Sequence, residues 1–256
     1  MELHLLKVVS LLGNIVGYDT NPAEASGLDV QAGIYYQPVI NGKPVILITQ
    51  TIVTTWFIML VLILLAIILR IKMKNYKYKP EGSQNVVEFI IESMDNFVKS
   101  TMTEKYGYFG NWFFGVFTFI LVSNLSGLVG LRPPTADLCT TAAITFTTFF
   151  LIHFMGIVKG KSGYFKGYLE PLPLLLPMNI ISELATPISL SFRLFGNILG
   201  GLIIMSMVYM ALPIFLSVGI PAVLHVYFDV FAGCIQTVIF VMLSMTFIKD
   251  KIPDEE

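Results

Sequence analysis

Arg193 stands in the middle of a long uncharged stretch, with Ser189–Phe192 before it and an uncharged run to Phe228 after it. A long basic side chain buried in lipid normally reaches out to an interface from near a helix end. Here the sequence that follows is too long for that escape. An arginine at mid-bilayer costs about 2.5–3.5 kcal/mol on insertion scales and roughly 10–17 kcal/mol for an isolated helix in simulation, so it marks a site where a partner charge or water is supplied. At 100° per residue, Thr186, Ser189, Arg193, Asn197 and Gly200 share one narrow helix face, with Gly196 beside it and Gly201 next to Gly200. Small residues let a second helix approach closely. The face therefore displays Arg193 to a partner; the alternative is an arginine buried among this chain's own helices.

A second group lies further along. Asp229 is the acid of the final apolar run, with His225 four residues before it and Gly233 four after. Gln236 is seven residues on, and helical spacing predicts that it shares a face with Asp229. Desolvation favours the neutral form of a carboxyl group and a nearby cation the ionised form. Those opposed effects suit an acid that exchanges protons; the alternative is an ion-paired structural acid. Gln236 has the groups to hydrogen-bond Arg193 or the backbone. Glu183 lies ten residues before Arg193. It either lines a water-filled cavity or caps a helix break caused by Pro177 and Pro187. His225 is a lesser candidate, and both it and His153 read as interface residues rather than relays.

These residues need membrane helices to hold them. The chain of 256 residues is 55% apolar and only 13% charged. A soluble domain carries about 25% charged residues, so a soluble enzyme is excluded. A formal net charge of −1 argues against a nucleic-acid binder. Cys139 and Cys234 form no paired motif and read as packing residues. No metal cluster, cofactor loop, phosphate-binding loop or hydrolase elbow is present in the sequence, so no metal or cofactor is expected.

Val45–Leu69 is 25 residues without a charge, and Tyr106–Leu131 is 26. Leu138–Val158 is a third such run, interrupted only by His153. About 20 residues cross the hydrocarbon core. Two further helices are expected from Pro171 to Ile248, with a turn at Pro213–Pro221. The expected fold is an all-α polytopic membrane protein of five spans in one membrane domain, 1–256. Residues 1–44 form an external N-terminal segment and 171–248 a helical hairpin. Basic residues follow the first span (Arg70, Lys72, Lys74, Lys77, Lys79) and the third (Lys159, Lys161, Lys166). The positive-inside rule makes both loops cytoplasmic, the N-terminus external and the C-terminus cytoplasmic.

Between the first two spans, Val87, Ile90, Ile91, Met94, Phe97, Val98 and Met102 recur at helical spacing, with Glu88, Glu92, Asp95 and Lys99 between them. This stripe predicts an amphipathic helix within 80–104, begun near Pro80 and Ser83, too charged to span. It lies along the membrane surface or packs on neighbouring helices.

The segment Ser189-Leu-Ser-Phe-Arg193-Leu-Phe-Gly-Asn197 resembles the signature of the a subunit of F-type ATP synthases. Phe231-Ala-Gly-Cys-Ile-Gln236 and the residues up to Ser244 are similar to the last helix of that family. The resemblance implies a subunit beside a ring of c subunits, with the b subunits of the peripheral stalk and the remaining synthase subunits as further partners. It implies a long tilted hairpin over 171–248, two offset half-channels that carry protons or sodium ions, and ATP chemistry located in other subunits. Arg193 would face the ring carboxylate, with Asn197 and Gln236 as polar neighbours. Asp229 would line a half-channel, and Glu183 matches an acid used in a channel wall. The chain departs from many bacterial members at Leu202, where they carry Glu. The wording of the motif points to a bacterial plasma membrane. Two rival readings are a self-contained channel or transporter and a purely structural scaffold.

Overall fold

A computed structural model describes residues 33–36, 39–40, 43–44, 48–74, 76, 82–102, 104–169, 172–212 and 219–252. Most of the N-terminal segment, Pro80, Glu170, the start of the expected 213–221 turn and the acidic tail lie outside them.

Four short strands precede the helices. β1 (Ile34–Tyr36) pairs antiparallel with β4 (Ile48–Thr49), and β2 (Val39–Ile40) with β3 (Lys43–Pro44). The rest is helical: α1 (Gln50–Met73), α2 (Ser83–Met102), α3 (Gly110–Leu125), α4 (Leu138–Gly167), α5 (Leu176–Ala211), α6 (Gly219–His225) and α7 (Gly233–Asp250). A π-helical stretch, Val226–Ala232, joins α6 to α7. Five helical segments are long and apolar enough to cross a membrane: Gln50–Met73, Tyr106–Val129, Leu138–Gly160, Pro173–Ala211 and Gly219–Asp250. The chain is an all-α multi-pass membrane protein.

Local chemistry accounts for several boundaries. The Thr49 hydroxyl accepts a hydrogen bond from the Ile52 N–H and caps α1, while Arg70 and Lys72 occupy its last turn. Gly130, in the left-handed conformation at φ 77°, ends the turn after α3 and returns its N–H to the Gly127 carbonyl. In hydrocarbon every polar group needs an internal partner. The hydroxyls of Thr145, Thr148 and Ser244 accordingly donate to carbonyls four residues back.

The core gathers around α7. Phe240, Val241, Met245 and Ile248 pack with Phe113 and Ile120 of α3, Leu194 of α5, and Met94, Val98 and Met102 of α2. The stripe of α2 divides in two. Its C-terminal half is buried in the protein, whereas Ile90 and Ile91 remain exposed. Helix α1 has Ile58 as its buried hydrophobic, and Trp56, Phe57, Leu60 and Ile63 face outward. Lipid tails are as apolar as these side chains, so association here depends on close packing rather than on removal from water. The same equivalence explains Cys139, expected in packing but exposed at the start of α4.

Helix α5 runs unbroken for 36 residues, with Pro187 inside it and Pro177 in its first turn. The helix break considered for Glu183 is therefore absent. Proline is tolerated in the first turn, and neighbouring helices support one in a membrane span. Pro187, Leu190, Ser191, Leu194, Ile198, Gly201 and Met205 are buried, which makes one face of α5 the packing face.

Candidate functional site

The packing face of α5 decides where Arg193 points. Buried positions recur every three or four residues, and Arg193 lies off that stripe and is exposed, as are Ser189 and Gly196. Among the described residues the guanidinium has neither an ion pair nor a hydrogen bond. A Cβ added at Gly196 or Gly200 would meet no atom within 4 Å. On the opposite side Ser191 meets Thr141 of α4 at 3.2 Å between hydroxyl oxygens. Arg193 is thus not neutralised by any described acid of its own chain.

Asn197 turns toward the other arm of the hairpin: its Nδ2 donates to the Ala232 carbonyl at 3.4 Å. Gly201 brings the arms together, since a Cβ there would lie 3.4 Å from the Phe228 Cβ. Gln236 is buried and its Nε2 has no hydrogen-bond partner among the described residues.

Asp229 lies in the π-helical stretch and is bonded by His225, with Nδ1 to Oδ2 at 2.6 Å. The other ring nitrogen meets the Tyr209 hydroxyl at 3.0 Å. The carboxylate abuts Gly127, where a Cβ would sit 3.3 Å from Oδ2. A buried network holds this end. Thr135 donates to Asn124 Oδ1 at 2.7 Å, and Asn124 Nδ2 donates to the Gly233 carbonyl at 3.1 Å and to the Thr237 hydroxyl at 3.2 Å. It pins α3 and the 134–136 turn to the junction where the π-helical stretch becomes α7.

Glu183 belongs to the other end of the hairpin. Lys251, just past α7, donates to its Oε1. His153 Nε2 lies 3.9 Å from Oε2. The Glu183 and Lys251 side chains are 21% and 26% exposed, so water screens this pair only in part. His153 Nδ1 lies 2.6 Å from the Tyr164 hydroxyl, which is 2.7 Å from that of Tyr168. The Lys251 ammonium stands 5.1 Å from the Tyr168 ring centre. Burial, the hydrogen bond with Tyr164 and the Glu183 charge raise the Tyr168 phenol well above its ordinary value. Glu183, Lys251, Tyr164 and Tyr168, with Asn179 and Ser182, line a cavity of about 510 Å³.

Of the residues singled out in the sequence, Arg193, Ser189 and the two glycines share an open face. Asp229 and His225 meet at one end of the hairpin and Glu183 stands at the other. Tyr209, Tyr164, Tyr168, Lys251 and Asn124 escaped sequence reasoning, since their partners come from distant turns or other helices. The histidines were read as interface residues. The i, i+4 spacing of His225 and Asp229 was the available signal for that pair.

The ionisable groups held within the last two spans define a multi-pass membrane protein that carries charge into the bilayer. Residues 52–249 match the family described as ATP synthase A chain. The chain is 35% identical over 253 residues to the sodium-ion-specific ATP synthase subunit a of Propionigenium modestum, covering 90% of this chain and 80% of that one. It is 36% identical over 203 residues to ATP synthase subunit a of Moorella thermoacetica, covering 78% and 89% respectively. The chain belongs to the ATP synthase a-subunit family, the ion-translocating membrane subunit, whose partners are the other ATP synthase subunits.

Proposed function

We propose that Arg193 faces the moving carboxylates of a c-subunit ring and separates two aqueous half-channels. One opens beside Glu183 and the cavity under Lys251. The other opens beside Asp229, His225 and Tyr209. The basic loops support an external N-terminus and a cytoplasmic C-terminus. The Glu183 opening is then cytoplasmic and the Asp229 opening external, on a single membrane domain of residues 1–256. Leu202 is apolar, so the titratable groups of the external opening are those of the Asp229 cluster. The b subunits brace this chain, and ATP chemistry belongs to other subunits.

The carrying observation is the exposed Arg193, unpaired among the described residues and turned away from the packing stripe of α5. An ion pair locked by a large net attraction would stall a ring, and the desolvation of both charges keeps the pair weak. Protons and sodium ions both fit this scheme, since the ring carboxylate selects the ion; the Propionigenium modestum relative is named as sodium specific. Cysteines placed at Ser189, Gly196 and Gly200 are expected to cross-link to c subunits in the assembled complex, and one at Ile63 of α1 is not. Absence of ring products from the α5 face refutes the proposal, as does ion flux through the purified chain alone in liposomes.

A further inference from the structure

His153 stands behind two groups of the cavity lining, Tyr164 and Glu183, and the half-channel reading leaves it without a task. Its Nε2 is buried with no hydrogen-bond partner among the described residues and lies 3.9 Å from Glu183 Oε2. Its Nδ1 begins a string that continues through the Tyr164 hydroxyl at 2.6 Å to the Tyr168 hydroxyl at 2.7 Å. Both tyrosines line the cavity. The Glu183 oxygen on the other side, Oε1, is occupied by the Lys251 ammonium. A cation that approached Glu183 on that side would meet a positive charge. Among the described residues the ionisable groups around His153 are Tyr164 from its own helix, Tyr168 beyond it, Glu183 from α5 and Lys251 from the end of α7, with Asp250 at the cavity edge.

We propose that Tyr168, Tyr164 and His153 form a proton inlet to Glu183, with His153 as the residue that hands over the proton. With Tyr164 donating to Nδ1, Nε2 carries the imidazole hydrogen. In the transfer the Nε2 proton passes to Glu183 Oε2, and Nδ1 takes the Tyr164 proton. Tyr164 takes the proton of Tyr168, and a hydronium ion in the cavity reprotonates Tyr168 and leaves as water. One proton has entered the carboxylate, the imidazole has exchanged tautomer, and each phenol is neutral again. Rotation of the hydroxyls and the ring resets the string. A metal cation cannot hop along such a string, so the string itself carries protons alone, while the ion bound at the ring is chosen by the ring carboxylate. Gly156 makes the geometry available: a Cβ there would lie 2.5 Å from Tyr164 Cε2, so the ring rests directly on the helix backbone.

The inference rests on Glu183 lining a half-channel, and the test separates the two. The complete ATP synthase carrying His153→Gln, Tyr164→Phe, Gly156→Ala or Glu183→Gln is reconstituted in vesicles. ATP-driven acidification is followed in sodium-free medium, in water and in deuterium oxide, and ATP hydrolysis reports assembly. His153→Gln and Tyr164→Phe are each expected to lower pumping about tenfold, less than the hundredfold of a positioned acid–base group in a dry site. Their double variant is no worse than either alone, because both interrupt one string. The solvent isotope effect, which a merely structural change leaves alone, falls in both. Gly156→Ala removes no polar group, yet it displaces the Tyr164 ring and gives the same loss. Wild-type pumping in the His153 and Tyr164 variants, with Glu183→Gln impaired, overturns the inlet and leaves the half-channel standing. Wild-type pumping in Glu183→Gln overturns the half-channel itself.

Discussion

Replacement of Arg193 by Gln removes a charge that no described group of the chain balances. Along α5 the nearest acid is Glu183, ten residues away, which is about 15 Å of helix axis. At an effective dielectric constant near 20, unit charges that far apart interact by about 1 kcal/mol, against about 4 kcal/mol for a ring carboxylate brought to 4 Å. Desolvation of both ions offsets part of that attraction, and a net of about 3 kcal/mol corresponds to somewhat over a hundredfold in the ratio of ionised to protonated carboxylate. Arg193→Gln is therefore expected to slow ATP-driven ion pumping by about two orders of magnitude. Arg193→Lys keeps the charge but loses the planar fork that grips both carboxylate oxygens, and a further effect of about tenfold is expected from that geometry alone. The assay is the complete enzyme in vesicles, with ATP synthesis and pumping normalised to hydrolysis as a measure of assembly. Wild-type coupled synthesis with Arg193→Lys would refute the argument from shape, and wild-type pumping with Arg193→Gln the argument from charge.

Asp229→Asn is expected to slow ion flux while the complex still assembles; unchanged flux over a pH series would count against a channel role. Gly200→Leu points into open space, so the subunit should fold normally while coupled turnover stops, because the added side chain blocks the ring. Gly201→Leu meets Phe228 across the hairpin; overpacking of this kind costs about 1–3 kcal/mol, visible as a lower unfolding midpoint in detergent. Asn124→Leu removes three buried hydrogen bonds; at about 0.6 kcal/mol each, rising to about 1.7, the expected loss is about 2 kcal/mol. An unchanged midpoint would show that the network does not pin the Asp229 end.

The spans were legible because bilayer thickness imposes a length, and charges inside an apolar run stand out. The Arg193 face was legible because α5 keeps helical spacing on both sides of that residue. Gln236 was less so. The argument that it shares a face with Asp229 assumed 100° per residue, and the π-helical stretch Val226–Ala232 breaks that count with longer i to i+5 turns. Gln236 is buried, and Asp229 meets Gly127. The Glu183 cluster was illegible for another reason. Its members come from α4, the segment after it, α5 and the end of α7, and periodicity within one helix carries no information about contacts between helices. His153 looked like an isolated interface residue because its nearest acid lies on the next span.

Pro187 has one more consequence. It carries no N–H, so the carbonyl of Glu183, four residues earlier, receives no rung from its own helix. The residue that offers a carboxylate to the cavity therefore also carries a backbone oxygen without its i+4 donor. Bending stiffness is lowest where the ladder lacks a rung, less than two turns before Arg193. The helix that carries Arg193 is thus most compliant beside the Glu183 cavity, without being broken there.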